Sequence, residues 1–135
     1  MRKLLVLLAL IPGAALADET IASGEWQLLA LDGQRVNYEA SFAIDAAGSV
    51  SGKAPCNNWF GQNQASLPAL GLGTLGSTRM YCDRMAEEER FLSTLGVMTS
   101  AERIGENLVL RGAGRSMEFS RDPGSKASIC VSCGD

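Results

Sequence analysis

The sequence predicts an α+β domain in which short antiparallel strands accompany one helix. Apolar residues recur at period two in brief runs, cut by Gly, Asp and Asn turn signals. One segment in the middle of the chain changes to helical spacing. The run that follows returns to period two and turns twice on glycine.

The amino end is read apart from the fold. MRKLLVLLALIPGAALADET has two basic residues, Arg2 and Lys3, an apolar run over 4–11, and small residues ending in Ala15-Leu16-Ala17. That order predicts a secretory signal peptide over residues 1–17, cleaved near Ala17. A buried N-terminal helix is the other reading of the run, which is too short to span a bilayer and is interrupted by Pro12-Gly13. No cysteine stands just after the cleavage point, so no lipid anchor is expected. The mature chain is expected to be soluble and periplasmic or secreted.

Removing 17 residues from 135 leaves 118, enough for one domain with a proper core. Loss of Arg2 and Lys3 reduces the basic residues from 12 to 10 against 15 acidic ones, a net charge of −5. The basic residues are scattered, so nucleic acid and anionic membrane surfaces are not expected partners. Histidine is absent. This removes the commonest neutral-pH base, the commonest zinc ligand and the Ser–His and Cys–His dyads. No enzyme activity, cofactor or metal is predicted; a carboxylate enzyme is the chemistry left open.

EWQLLAL over 25–31 reads as the first strand, stopped by Asp32-Gly33. SFAID over 41–45 and SVSGK over 49–53 read as a hairpin turning at Ala46-Ala47-Gly48. LGLGTLG over 70–76 puts Leu70 and Leu72 on one side and reads as a bent or bulged strand. In DRMAEEERFLSTLGVM, Met85, Phe91, Leu92 and Leu95 share a helical stripe, with Asp83 as N-cap and Gly96 as stop. Glu87, Glu88 and Glu89 read as a solvated first turn favoured by the helix dipole; a cation site is the sharper alternative. ERIGENLVLRGAGRSMEFS reads as a three-strand meander with Leu108 and Leu110, then Met117 and Phe119, each on one face. The domain is expected over 18–121, followed by a polar tail over 122–135 that contains Cys130-Val131-Ser132-Cys133.

KAPCNNWFGQ over 53–62 carries the motif question. Cys56 is a nucleophile, a metal ligand or half of a disulfide. Four cysteines in an exported chain predict disulfides, with three connectivities open. The tail pair has the C-x-x-C spacing of redox and zinc sites, but no helix follows it to stabilise a thiolate. A local disulfide, a staple to the domain or a mixed disulfide with a partner are its other readings. Asn57 and Asn58 suit a turn. Trp59 and Phe60 are adjacent, so in a strand one enters the core and the other faces out.

Four landmarks follow in order: Trp26-x-Leu28, then Cys56-Asn57-x-Trp59-x-Gly61, then Thr78-x-Met80-x-Cys82, then an acidic helix with a terminal meander ending in MEF. This resembles the META/HslJ-like family of small bacterial envelope domains, heat-shock-associated in some members. The resemblance covers roughly 25–120. Two positions depart from the family pattern: Pro55 replaces the glycine before the first cysteine, and Trp59 replaces Phe or Tyr. The resemblance implies a strongly curled antiparallel sheet approaching a small barrel, with the helix packed on it or plugging one end. It also implies a Cys56–Cys82 disulfide, which leaves Cys130 and Cys133 for each other. With Trp59 as the exposed aromatic, Asn57, Asn58, Trp59, Thr78, Arg79 and Tyr81 form the candidate contact surface. The expected function is a non-enzymatic envelope protein that binds another envelope protein or a small ligand, or supports stress tolerance. A thiol-redox or metal-handling role through Cys130 and Cys133 is the alternative.

Overall fold

The computed structural model describes residues 20–121. Strands β1 (Trp26–Leu31), β2 (Gln34–Arg35), β3 (Ser41–Ile44), β4 (Ser49–Lys53), β5 (Asn58–Gln62) and β6 (Gly76–Ser77) precede helix α1 (Met85–Gly96). Strands β7 (Ser100–Ile104), β8 (Asn107–Gly112) and β9 (Arg115–Ser120) follow it. The nine strands form one antiparallel sheet in the order β6-β5-β4-β3-β1-β9-β8-β7, with β2 paired to β1 off this path.

Period-two patterning directs the core. Phe42, Val50, Trp59, Leu108, Leu110, Met117 and Phe119 enter one apolar cluster, and α1 adds Phe91 and Leu95 to it. Trp59 lies at its centre, stacked on Phe42 at 6.0 Å and meeting Phe91 edge-on at 6.4 Å. Its indole N–H donates to Ser41 O at 2.9 Å, which satisfies the one polar atom of a buried ring. Gly52, opposite Trp59 in the ladder, makes that bond available. A Cβ on Gly52 would lie 2.1 Å from Ser41 O and 2.9 Å from the indole nitrogen. Trp26 is likewise buried, donates to Ile21 O at 3.0 Å, and has the Arg121 guanidinium over its ring at 3.9 Å.

The sheet is α+β as expected, but it is open. The strong curl and near-barrel closure implied by the resemblance are not found. Strands β6 and β7 are its two ends, and a single bridge, Ala69↔Ser100, ties the connection between β5 and β6 to β7. The reason lies in 70–76, where the predicted strand is coil except at Gly76. Leu70 and Leu72 are buried as predicted, yet only the two residues of β6 form a ladder, too few to close on a five-residue β7.

Helix α1 begins one residue later than an Asp83 cap implies. Arg84 occupies the cap position and makes no side-chain capping bond. Its buried face holds Glu88, Phe91, Thr94 and Leu95, while Met85 and Leu92 are half-buried. The solvated reading of the three glutamates is therefore corrected at its middle member. Glu88 lies three residues before Phe91 and seven before Leu95, on the stripe that faces the core.

Candidate binding surface

Glu88 is 3% exposed, and both carboxylate oxygens are used. Oε1 accepts from the backbone N–H groups of Cys56 at 3.0 Å and Asn57 at 2.7 Å. Oε2 accepts from Asn57 Nδ2 at 2.7 Å. The Asn57 amide reaches further. Its Nδ2 also donates to Met80 O at 2.9 Å, and its Oδ1 accepts from Met80 N at 2.6 Å and Thr78 Oγ1 at 2.9 Å. Every donor and acceptor direction of that amide is filled. Thr78 N donates to Asn58 O at 3.0 Å, which extends the β5–β6 pairing.

Beside this polar knot, Cys56 and Cys82 are joined in a disulfide with Cα atoms 5.6 Å apart. The residues of the two cysteine motifs thus act together. They fasten the approach to β5, the 78–82 segment and the first turns of α1 into one unit. Among the described residues, no group of three or more His, Cys, Asp or Glu side chains is placed to hold a metal ion. Cys130 and Cys133 lie outside the described residues, as does the signal-peptide reading of 1–17.

The candidate contact residues divide. Asn58, Thr78, Arg79 and Tyr81 are exposed, and Asn57 and Thr78 line two shallow depressions of about 390 Å³ and 230 Å³. Asn57 is buried and fully engaged in the knot. Trp59 is corrected outright: it is 1% exposed, because β5 turns it toward Phe42 and Phe91. Its neighbour Phe60 is the outward ring, 55% exposed. It lies against Gly76, where a Cβ would fall 2.4 Å from its ring. Sequence reasoning missed two residues here, one exposed and one buried. Met80 is 70% exposed beside Tyr81 at 86%, and a methionine inside a motif gives no sign of its direction. Glu88 carried a readable signal in its spacing from Phe91.

A second polar cluster surrounds Asp32 and includes Arg90 of α1. Asp32 sits at the β1–β2 turn with φ 52°. Its Oδ2 accepts from Arg115 Nε at 3.2 Å and Nη2 at 2.9 Å, its Oδ1 accepts from Ser116 N at 3.1 Å, and Arg90 approaches to 3.9 Å. Partial burial alone would raise the Asp32 pKa. The Arg115 and Ser116 hydrogen bonds, with the charges of Arg115 and Arg90, outweigh burial and hold it below its ordinary value near 3.8.

The open sheet, the helix on its apolar face and the disulfide beside a buried Asn–Glu pair define a small stapled α+β domain. A META domain family model matches residues 19–124, and the chain belongs to that family. Solved structures share the fold. A protein from Burkholderia xenovorans solved by NMR is 22% identical, with a TM-score of 0.62 over 91% of this chain and 99% of its own. The crystal structure of a DUF4847 family protein from Bacteroides vulgatus is 14% identical, with a TM-score of 0.62 over 80% of this chain and 99% of its own. A further NMR structure is 19% identical, with a TM-score of 0.61 over 76% and 92%. No curated protein matches the sequence.

Proposed function

We propose that the protein is an exported, non-enzymatic META domain that binds another envelope component through the rim of its disulfide-bonded loop pair. One observation carries this reading. Met80 and Tyr81 are large, apolar and mostly exposed, yet the backbone beneath them is pinned by Asn57 and by the disulfide at Cys82. A rigid segment presenting wetted apolar side chains loses little conformational entropy on binding. Asn58 shares one depression with Met80, and Arg79 shares the other with Met80 and Tyr81. The disulfide suits an oxidising compartment, as the signal-peptide reading of 1–17 requires. The buried carboxylate at Glu88 has its oxygens engaged by Cys56 and Asn57, which supports a structural rather than catalytic use.

The test is in-cell crosslinking of the tagged protein from its native envelope, followed by mass spectrometry of the adducts. A Met80→Ala, Tyr81→Ala double variant keeps the knot and the disulfide. Loss of a specific adduct in that variant, with thermal stability unchanged, is the expected result. Retention of every adduct removes this surface from the reading. Complementation of a deletion strain under heat or envelope stress, with and without the double substitution, tests the stress-tolerance role.

A further inference from the structure

We propose that the groove between β6 and α1 takes an extended peptide segment. The segment joins the sheet at β6, turns small apolar side chains toward α1 and sets a basic residue against Glu89. The inference rests on the binding-module reading but uses the groove on the inner side of the β6 edge, which adjoins the loop rim through Ser77 and Met85 and does not include Met80 or Tyr81.

Strand β6 ends the sheet, and among the described residues it pairs with β5 alone. Thr78 N donates to Asn58 O, so Thr78 is a bonded position of this ladder. Antiparallel ladders alternate, which makes the neighbouring Trp59↔Ser77 pair the non-bonded one. The N–H and C=O of Ser77 therefore point away from β5, as a free sheet edge presents them. Along this side runs a groove of about 720 Å³ between residues 73–77 and α1. Leu75, Met85 and Leu92 give it an apolar lining, and Gly73, Ala86 and Ser93 leave it room. The helix spends Phe91 and Leu95 on the core and leaves this flank half-covered. A strand added to β6 would complete the sheet over that flank, the geometry of peptide recognition by strand addition.

Charge selects the occupant. Glu89 lines the groove, is exposed and, among the described residues, takes part in no ion pair. A second copy pairing edge to edge about a two-fold axis would bring a second Glu89 to the same groove. A peptide with a lysine or arginine at that point meets the carboxylate instead.

The probe is a fluorescently labelled heptapeptide of alternating valine and threonine with lysine at both ends. It is titrated into the mature, oxidised protein and read by anisotropy. Saturable binding is expected. Ser93→Trp, which fills the groove from an exposed helix position, and Ser77→Pro, which removes the edge donor, should each weaken it by about tenfold or more. Glu89→Lys should weaken it similarly and transfer preference to the same peptide ended by glutamates. Should Ser77→Pro fail to fold, Ser93→Trp and Glu89→Lys decide the matter by themselves. No saturable binding, or binding indifferent to both of those variants, overturns the proposal. So does a dimer in sedimentation that Ser77→Pro abolishes, because the edge then belongs to a second copy. Peptide binding that survives Met80→Ala, Tyr81→Ala while crosslinks vanish separates this groove from the loop rim.

Discussion

At the scale of the residue, the Glu88–Asn57 pair explains why the motif carries an amide and not an acid. Asn57 donates to Glu88 and Met80 O through one nitrogen and accepts from Met80 N and Thr78 through its oxygen. Glu88→Gln would set an amide NH₂ against the Asn57 NH₂, and Asn57 cannot flip without losing Met80 and Thr78. The variant should lose roughly 1–3 kcal/mol in urea unfolding, the cost of a buried donor left unpaired. A midpoint equal to wild type would show the knot contributes nothing. Asp32 supplies a pH signature. Its pKa is depressed in the fold, so its contribution is present above the ordinary value and disappears as pH falls through the folded value. Thermal stability of the wild type should therefore drop more between neutrality and about pH 3 than that of Asp32→Asn. Parallel curves would deny the Arg115 contact that role. The Asp32-Gly33 turn was readable from the sequence. Its partner Arg115, far along the chain, was not, because local pattern carries no record of which turn meets which strand.

At the scale of the element, strands announced themselves where alternation was clean. The hairpin of β3 and β4, the helix and the terminal meander were all legible from apolar spacing. Two things were not. The 70–76 run buries its leucines as a strand would but lies as coil, since period two in a glycine-rich segment does not require a ladder partner. The choice between Trp59 and Phe60 was legible as a choice, but its direction depended on Gly52 across the ladder. That dependence is testable. Gly52→Ala places a Cβ against backbone at 2.1 Å, so β4 must shift and the Trp59–Ser41 bond must stretch. Melting should show a loss on the order of 1–3 kcal/mol, with tryptophan emission altered in the folded state. Unchanged emission and stability would mean the strand accommodates the methyl elsewhere.

At the scale of the whole molecule, the disulfide closes a loop with a sequence separation of 26 across the seam between sheet and helix. In the chain-entropy model that constraint contributes about 3.5 kcal/mol. The Cys56→Ala, Cys82→Ala variant should lose a comparable amount and still fold, because the Asn57–Glu88 knot holds the same segments together. Complete unfolding at ambient temperature would make the disulfide the principal fastener. The pairing itself was legible through the ordered motifs, whereas the open sheet was not. Closure is a property of where the last strands end, and no single segment records it.

The position of β1 between β3 and β9 has a consequence for biogenesis. The strand that opens the domain finds its central neighbour only in the strand that closes it: Gln27 faces Ser120, and Leu31 faces Met117. Such distant pairing makes for slow, all-at-once folding. A nascent chain lacking β9 can pair β1 with β2 and β3, but nothing in the sheet joins that half to β7 and β8 until the last strand is made. Late closure of this kind suits the export proposed above, in which the chain would cross a membrane before it folds.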